Sequence, residues 1–381
     1  MRVALARFAI AALCVAAAGP PQHVLPNEFG CLVIVSADAA LRDRWNHTPS
    51  GTGPSLSVSS TVFRAQTFAI HAVFHGYARD DAGRARVRHD VKITAADGSV
   101  LLDKLDATTW DGPAHGGDGL LARDEVQMHF DARAPLGRYT VTVVMRDLVG
   151  SEQARSEASI ELVEPDTTAP WKSADELSAW MTGYFGAQRP EQAIPAFCLM
   201  FESEGEKRAS TVRIQQVFFR AIFERNRWLL PLLAARYGEL DVRAQHAVLQ
   251  LMASLDCDVK ALLPSLSADD ERALARLVAE PRRDVLTDPI VEPEHVDHLW
   301  ATFFATGEFA PIRRLVDALE LSASSDELRA KAETVRKAAQ WSLLANVRAH
   351  PLVRNYCRAI VEQRACGESA RNVLAEILSR G

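Results

Sequence analysis

The sequence predicts a two-domain, all-β plus all-α protein: an antiparallel β-sandwich followed by a helical domain. Three observations support this prediction. Apolar residues alternate with a period of two over residues 61–164, and they recur at helical spacing over residues 172–381. A segment with two prolines, residues 165–171, lies between the two patterns. The chain has 381 residues, of which 48% are hydrophobic and 24% charged, so there is enough apolar material for two cores.

The N-terminus is typical of a secretory signal. Residues 1–18 carry Arg2 and Arg7 before the apolar run Phe8–Ala18 and end in small residues suited to cleavage. A second cleavage position, after Ala37, stays open. The apolar run is too short for a bilayer, and no later stretch is long enough either. We therefore predict an exported protein, periplasmic or extracellular, without a transmembrane span, and an irregular segment over residues 19–60.

The β-pattern contains one hairpin turn signal and one strand that opens with a tyrosine. Val87–Ile93 alternates strictly, and Asp97-Gly98 after it is a hairpin signal. Tyr139–Met145 is a half-buried strand that opens with a tyrosine shortly after a glycine. That arrangement suits a tyrosine corner, in which the hydroxyl bonds a backbone group a few residues upstream. We therefore expect the β-sandwich to be immunoglobulin-like, with a buried Tyr139.

Two helix-capping signals lie in the helical pattern, one at its start and one near residue 325. Ser173–Glu176 and Ser324–Glu327 each match a capping box, in which a serine and a glutamate satisfy free amides of a first helical turn. The apolar faces between them suit short antiparallel helix pairs, so we expect a solenoid-like domain of helix hairpins. Trp300 and Trp341 each lie near other apolar residues at helical spacing, and we expect both in the core.

The linker predicts that the two domains fold independently. Residues 165–171 contain two prolines and small polar residues, which keep a segment extended and leave few contacts across it.

Charge and motif content exclude several classes of function. The net charge is −6 and no basic stripe is present, so we predict no nucleic-acid partner. The sequence has no phosphate-binding Gly-x-x-x-x-Gly-Lys-Ser/Thr loop, no His-Glu-x-x-His helix and no Gly-x-Ser-x-Gly turn. We therefore predict no cofactor and identify no catalytic residue.

The best metal candidate is a short acidic and histidine-rich segment. His295 and His298 are three residues apart at a helix start, so both imidazoles can face one ion, with the Glu294 carboxylate beside them. The alternative is a polar first turn, whose charges complement the helix dipole, leading into buried residues.

A second pair of polar residues lies near the end of a long predicted helix. Asn346 and His350 are one turn apart on the same face. They can hydrogen-bond a ligand or, alternatively, satisfy the end of a neighbouring helix.

The predicted mature chain has an odd number of cysteines, so at least one thiol is unpaired or shared between chains. Their disulfide pairing stays open from the sequence. They are Cys31, Cys198, Cys257, Cys357 and Cys366.

Three segments carry a family resemblance: Trp180–Phe185, which opens Trp-Met-Thr; Leu299–Glu308, with Leu-Trp, Phe-Phe-Ala-Thr-Gly; and Ala338–Pro351, with Trp-Ser-Leu, Asn and His-Pro. With these segments, residues 172–380 resemble a family of uncharacterised exported bacterial proteins. Residues 60–165 resemble a second exported, immunoglobulin-like group. The resemblance implies a fold and an export route and no reaction.

These observations lead to two functional hypotheses. The first is a non-enzymatic, periplasmic or surface-associated binding or scaffold protein, whose partner is an envelope protein or glycan. The second is a metal-assisted hydrolase that acts on cell-envelope material through His295 and His298. The oligomeric state stays open.

Overall fold

A computed structural model of the chain describes residues 28–49, 52–114, 119–168, 171–202, 209–279, 284–322 and 326–380. Two β-sheets and one short helix come first, and helices follow from residue 174 onward. The predicted order of a β part and a helical part is confirmed. We call residues 28–164 the β-rich region and residues 171–380 the helical region. The predicted signal segment, residues 1–18, lies outside the described residues.

The described residues of the β-rich region form nine strands and one helix. In chain order these are β1 (Gly30–Ser36), α1 (Leu41–Asn46), β2 (Thr61–Phe63), β3 (Phe68–His75), β4 (Arg84–Ala95), β5 (Val100–Pro113), β6 (Leu120–Leu121), β7 (Val126–Met128), β8 (Gly137–Asp147) and β9 (Glu152–Val163).

The strands form two sheets. In the first sheet β3 pairs with β1 on one side and with β6 and β7 on the other. The second sheet has the order β2-β9-β8-β4-β5. Its pairs are antiparallel except β2 with β9, which run parallel over three residues. The predicted hairpin turn joins β4 to β5, where Gly98 adopts a positive φ of 86°.

Every second side chain of a strand points towards the other sheet, and these side chains from both sheets form one apolar core. Members of this core include Phe68, Ile70 and Phe74 on β3, Val87, Val91 and Ile93 on β4, and Val141, Val143 and Met145 on β8.

Tyr139 joins this core, since its side chain is almost fully buried. Its hydroxyl donates a hydrogen bond of 2.6 Å to the carbonyl oxygen of Pro135, four residues upstream. The predicted burial and upstream bond of Tyr139 are confirmed.

The N-terminal stretch departs from the sequence prediction. We expected residues 19–60 to be irregular, whereas the described part of this stretch contains β1 and α1. β1 pairs with β3 along its whole length. Leu41 of α1 packs on the far side of this sheet against Ile34 and Val73. Because β1 is covered on both faces, it lacks the alternation that identifies a half-buried strand.

Twelve α-helices form the described part of the helical region. They are α2 (Ala174–Gly183), α3 (Ala193–Glu202), α4 (Ala209–Arg225), α5 (Leu230–Ala235), α6 (Val242–Ser254), α7 (Val259–Leu262), α8 (Ala268–Ala279), α9 (Pro293–Thr306), α10 (Phe309–Asp317), α11 (Asp326–Ala349), α12 (Pro351–Glu362) and α13 (Glu368–Arg380).

Helix starts follow the sequence signals where the structure describes them. The Ser173 hydroxyl accepts a hydrogen bond of 3.1 Å from the Glu176 amide, so the first predicted cap is present. Pro351 occupies the first position of α12, where its missing donor has no cost. The second capping box lies partly outside the described residues.

Two apolar clusters stabilise the helical region. The first gathers side chains of α2 to α8, and the second those of α10 to α13. Helix α9 contributes to both, with Ala301 and Ala305 in the first cluster and Leu299 and Phe303 in the second. It is therefore the element that joins the two halves of this region.

The two tryptophans expected in the core have different environments. Trp300 is only 6% exposed and packs in the second cluster, as predicted. Trp341 is 74% exposed, so its predicted burial is wrong. The buried face of α11 is the row Val335, Ala339, Leu343 and Val347, and Trp341 lies on the opposite side of the helix.

The five cysteines of the described residues are all free thiols. The cores of both regions therefore form by packing among these residues. No helix in the described ranges has both the length and the apolar content that crossing a membrane requires.

Candidate functional site

The predicted metal candidates lie together in the first turns of α9. The Glu294 carboxylate bonds Arg213 of α4 at two points, with Nε at 2.6 Å and Nη2 at 3.0 Å. These bonds from the Arg213 guanidinium hold the pKa of Glu294 below its usual range. Nε2 of His298 is 3.6 Å from Glu294 Oε1. The ring centroids of His295 and His298 are 6.2 Å apart. Nδ1 of His295 accepts a hydrogen bond from the Val291 amide.

The structure thus places these three side chains close to one another, with the carboxylate held by an arginine. In the ranges that the structure describes, no three His, Cys, Asp or Glu side chains are grouped so that they could hold a metal ion.

Asn346 and His350 contact the protein in different ways. The Asn346 amide donates to the carbonyl oxygen of Ser342 in its own helix at 2.9 Å. His350 precedes α12, and its ring packs edge-on against Phe185 and Phe304, with centroids 5.4 Å and 5.5 Å away. Burial lowers the pKa of His350. This ring is therefore part of an aromatic cluster.

A buried polar arrangement lies where the β-rich region meets the helical region. Arg44 of α1 donates a hydrogen bond of 2.5 Å to the carbonyl oxygen of Phe185, in the turn that follows α2. Its Nε is 2.9 Å from Asp38 Oδ2, and both side chains are at most 3% exposed. A cation at this position complements the negative end of a helix.

Asp43, the residue before Arg44, contacts the opposite kind of helix end. Its carboxylate accepts a hydrogen bond of 3.2 Å from the amide of Phe309, the first residue of α10. A carboxylate there satisfies a free amide and complements the positive end of the dipole. Helix α1 thus contacts one helix end with a cation and another with an anion.

Aromatic rings extend this contact. The His47 ring stacks on Phe309, with centroids 3.6 Å apart and an interplanar angle of 7°. Phe309 in turn meets Tyr356 edge-on at 5.3 Å. On another side of the contact, Phe63 of the β-rich region lies 5.4 Å from Trp228.

Gly307 allows the close approach of Arg44. It ends α9 with a positive φ of 69°, and a Cβ built there would lie 2.5 Å from Arg44 Nη2. The Tyr356 hydroxyl donates to the Gly307 carbonyl oxygen at 2.9 Å, which fixes this turn against α12. A side chain at position 307 would therefore displace the guanidinium.

We call this contact the junction. On the β-rich side it comprises Asp38, Asp43, Arg44 and His47, and on the helical side Phe185, Gln188, Gly307, Phe309 and Tyr356. Its polar side chains bond backbone groups or one another, so the arrangement positions two regions. The sequence analysis singled out the segments that contain Phe185, Gly307 and His350. It did not identify α1, whose Arg44 contacts both Phe185 and Gly307.

A second feature is the exposed surface of α11 around Trp341. Lys337 lies one turn before Trp341 and Ala345 one turn after it, and both are exposed. Nζ of Lys337 is 2.7 Å from Glu333 Oε1. We call Lys337, Trp341, Leu344 and Ala345 the Trp341 face. An exposed indole on a helix offers a flat apolar surface with a hydrogen-bond donor at its edge.

Comparisons with known proteins assign neither a family nor a fold. No protein-family model matches the sequence, and no curated protein is significantly similar. A family 123 glycoside hydrolase from Clostridium perfringens is 9% identical at a TM-score of 0.21, covering 50% of this chain and 35% of that chain. Escherichia coli alpha-2-macroglobulin is 7% identical at a TM-score of 0.21, covering 85% of this chain and 24% of that chain. The chain thus spans about a third or less of either protein, and scores this low carry no argument.

Proposed function

We propose that the protein is an exported, non-enzymatic binding protein whose helical region binds an envelope protein or glycan through the Trp341 face. The observation that carries this proposal is the 74% exposure of Trp341 in the middle of a 24-residue helix. Tryptophan is enriched where proteins contact partners, because it buries a large apolar area at little cost in conformational freedom. Stability does not require an indole there, since the core uses the opposite face of α11.

We propose the finer fold descriptions in the same way. The β-rich region is an immunoglobulin-like docking module, supported by its two facing sheets and by the Tyr139 bond to Pro135. The helical region is a solenoid of helix hairpins, supported by the packing of α9 on α10 and of α11 on α12. Family membership rests on three segments, and their residues Phe185, Phe304 and His350 contact one another.

The competing hypothesis is a metal-assisted hydrolase that uses Glu294, His295 and His298. For Glu294 to serve as a metal ligand, its carboxylate would have to give up at least part of its contact with Arg213. Metal analysis of the purified protein separates the two hypotheses. Stoichiometric zinc that is lost in His298→Ala would favour the hydrolase.

The binding proposal is tested by affinity capture from an envelope extract. Wild-type protein, Trp341→Ala and the control Val242→Ala are compared; Val242 is 80% exposed on α6, so its truncation also removes exposed apolar surface. We expect wild type and Val242→Ala to retain the same envelope component and Trp341→Ala to lose it. Equal capture by all three proteins would contradict the proposal.

A further inference from the structure

The apolar cores of the two regions share no residue. Among the described residues, the clusters of the β-rich region draw their buried members from positions 29–162, and those of the helical region from positions 177–377. Each region therefore has a hydrophobic core of its own. This is the property expected of units that remain folded when they are apart.

Between described residues, the contacts that cross from one region to the other are hydrogen bonds and aromatic ring contacts. Three hydrogen bonds join residues of the described ranges: Arg44 to the Phe185 carbonyl, the Phe309 amide to Asp43, and Gln188 Nε2 to Asp38 Oδ1 at 3.1 Å. The His47 ring contacts Phe309 and Tyr356, and the Phe63 ring contacts Trp228. Such an interface resembles a transient contact between proteins more than a domain core.

The two ion pairs at the junction each lie within one region, so separation of the regions breaks neither pair. The buried partner of Arg44 is Asp38, which belongs to the same region. On the helical side, Glu308 beside Gly307 pairs with Arg225 of α4, again within one region. Removing one partner of a buried ion pair is costly, but here both partners move together and regain water.

We propose that α1 is a releasable docking element: the two regions separate as folded bodies when its contacts with the ends of α2 and α10 break. Arg44 contacts the carboxyl end of α2 at the Phe185 carbonyl, and Asp43 contacts the amino end of α10 at the Phe309 amide. Their release uncovers the Phe185 carbonyl, the Phe309 amide and the Phe309 ring together. This conformational change is independent of binding at the Trp341 face, which lies on α11.

The test uses the full chain with Asp43→Ala, Arg44→Lys and His47→Ala combined, so that the contacts with both helix ends are removed. Arg44→Lys shortens the side chain that reaches the Phe185 carbonyl and keeps a cation beside Asp38, and the Asp43 and His47 side chains are only partly buried. The control is Arg42→Ala on the same helix, because Arg42 bonds the Ala122 carbonyl and Glu125 within the β-rich region. Hydrogen exchange followed by mass spectrometry reports each element, and small-angle scattering reports the largest dimension of the molecule.

We expect the triple variant to exchange amides at the start of α10 at least about tenfold faster, the loss that one charged hydrogen bond implies. Its largest dimension should increase, while exchange in β8 and α9 stays as in wild type and in Arg42→Ala. Unchanged exchange and dimension would overturn the proposal, since α1 would not then hold the regions together. Faster exchange throughout β8 and α9 would also overturn it, since the regions would be unfolding and not separating.

Discussion

His71 should make the stability of the β-rich region depend on pH. This residue of β3 lies beneath α1 and is only 3% exposed, with Nδ1 at 3.3 Å from Glu125 Oε2. Burial lowers the pKa of His71 from 6.5 to about 4. The folded state therefore holds the neutral ring at pH values where the unfolded chain already binds a proton. The contribution of the neutral His71 ring to the stability of the folded state is therefore complete above pH 6.5. It is lost progressively as the pH falls from 6.5 towards 4, because the unfolded chain then binds a proton that the folded state does not.

The magnitude follows from the difference between the two pKa values. A gap of about 2.5 units at 1.36 kcal/mol per unit corresponds to a loss of about 3 kcal/mol in the free energy of unfolding. That is a large part of the 5–15 kcal/mol, roughly, that stabilises an ordinary domain. Below pH 4 both states bind the proton, so this contribution stops changing.

The assay compares wild type with His71→Gln, which cannot titrate, in urea at several pH values between 7.5 and 4. Pulse proteolysis with identification of the β8 peptide reports the folded fraction of the β-rich region. We expect wild type to lose about 3 kcal/mol more than His71→Gln over this range. The control is His129→Gln, the same change at an exposed histidine of the region, which should follow wild type. Parallel profiles for wild type and His71→Gln would refute the reasoning.

Three further predictions concern packing and processing. Tyr139→Phe should lower the free energy of unfolding by about 1 kcal/mol, because the Pro135 carbonyl loses its donor; a neutral result in urea unfolding would contradict this. Trp300→Ala should cost about 3–5 kcal/mol, whereas Trp341→Ala should stay within about 0.5 kcal/mol of wild type in the same assay. The mature chain should retain β1, which pairs along its whole length with β3; N-terminal sequencing that begins at Asp38 would show otherwise.

A strand with one buried face is the easiest to predict from the sequence, and β8 shows why. β8 alternates because the core lies on one side of it, and Tyr139 at its start has a recognisable local partner. β1 was missed because sheet pairing and α1 cover it, which leaves an apolar run without a period. α1 has six residues and two arginines, too short and too charged for a helical pattern.

The junction could not be predicted because its contacts join residues far apart in the chain. Arg44 and Phe185 are separated by 141 positions, and Asp43 and Phe309 by 266. Gly307 did carry a signal, since a glycine after an apolar helical run is typical of a helix end. Nothing in the sequence around it indicates that a guanidinium from the other region lies against this turn.

The error at Trp341 was avoidable. Val335, Ala339, Leu343 and Val347 recur every four residues and mark the buried face of α11. Trp341 lies two residues from Leu343, about 200° around the helix, and so faces away from this row. The neighbouring Leu344 suggested burial, but a single apolar neighbour says less than a sustained row.

The most direct test of the proposed binding function is oxidative footprinting of the tryptophans in the free protein and in the complex captured from envelope extract. Trp300 is buried in the core and serves as an internal control that should stay unreactive in both states. We predict that Trp341 is oxidised readily in the free protein and protected when the partner is bound. Equal oxidation of Trp341 in the free protein and in the complex would contradict the account.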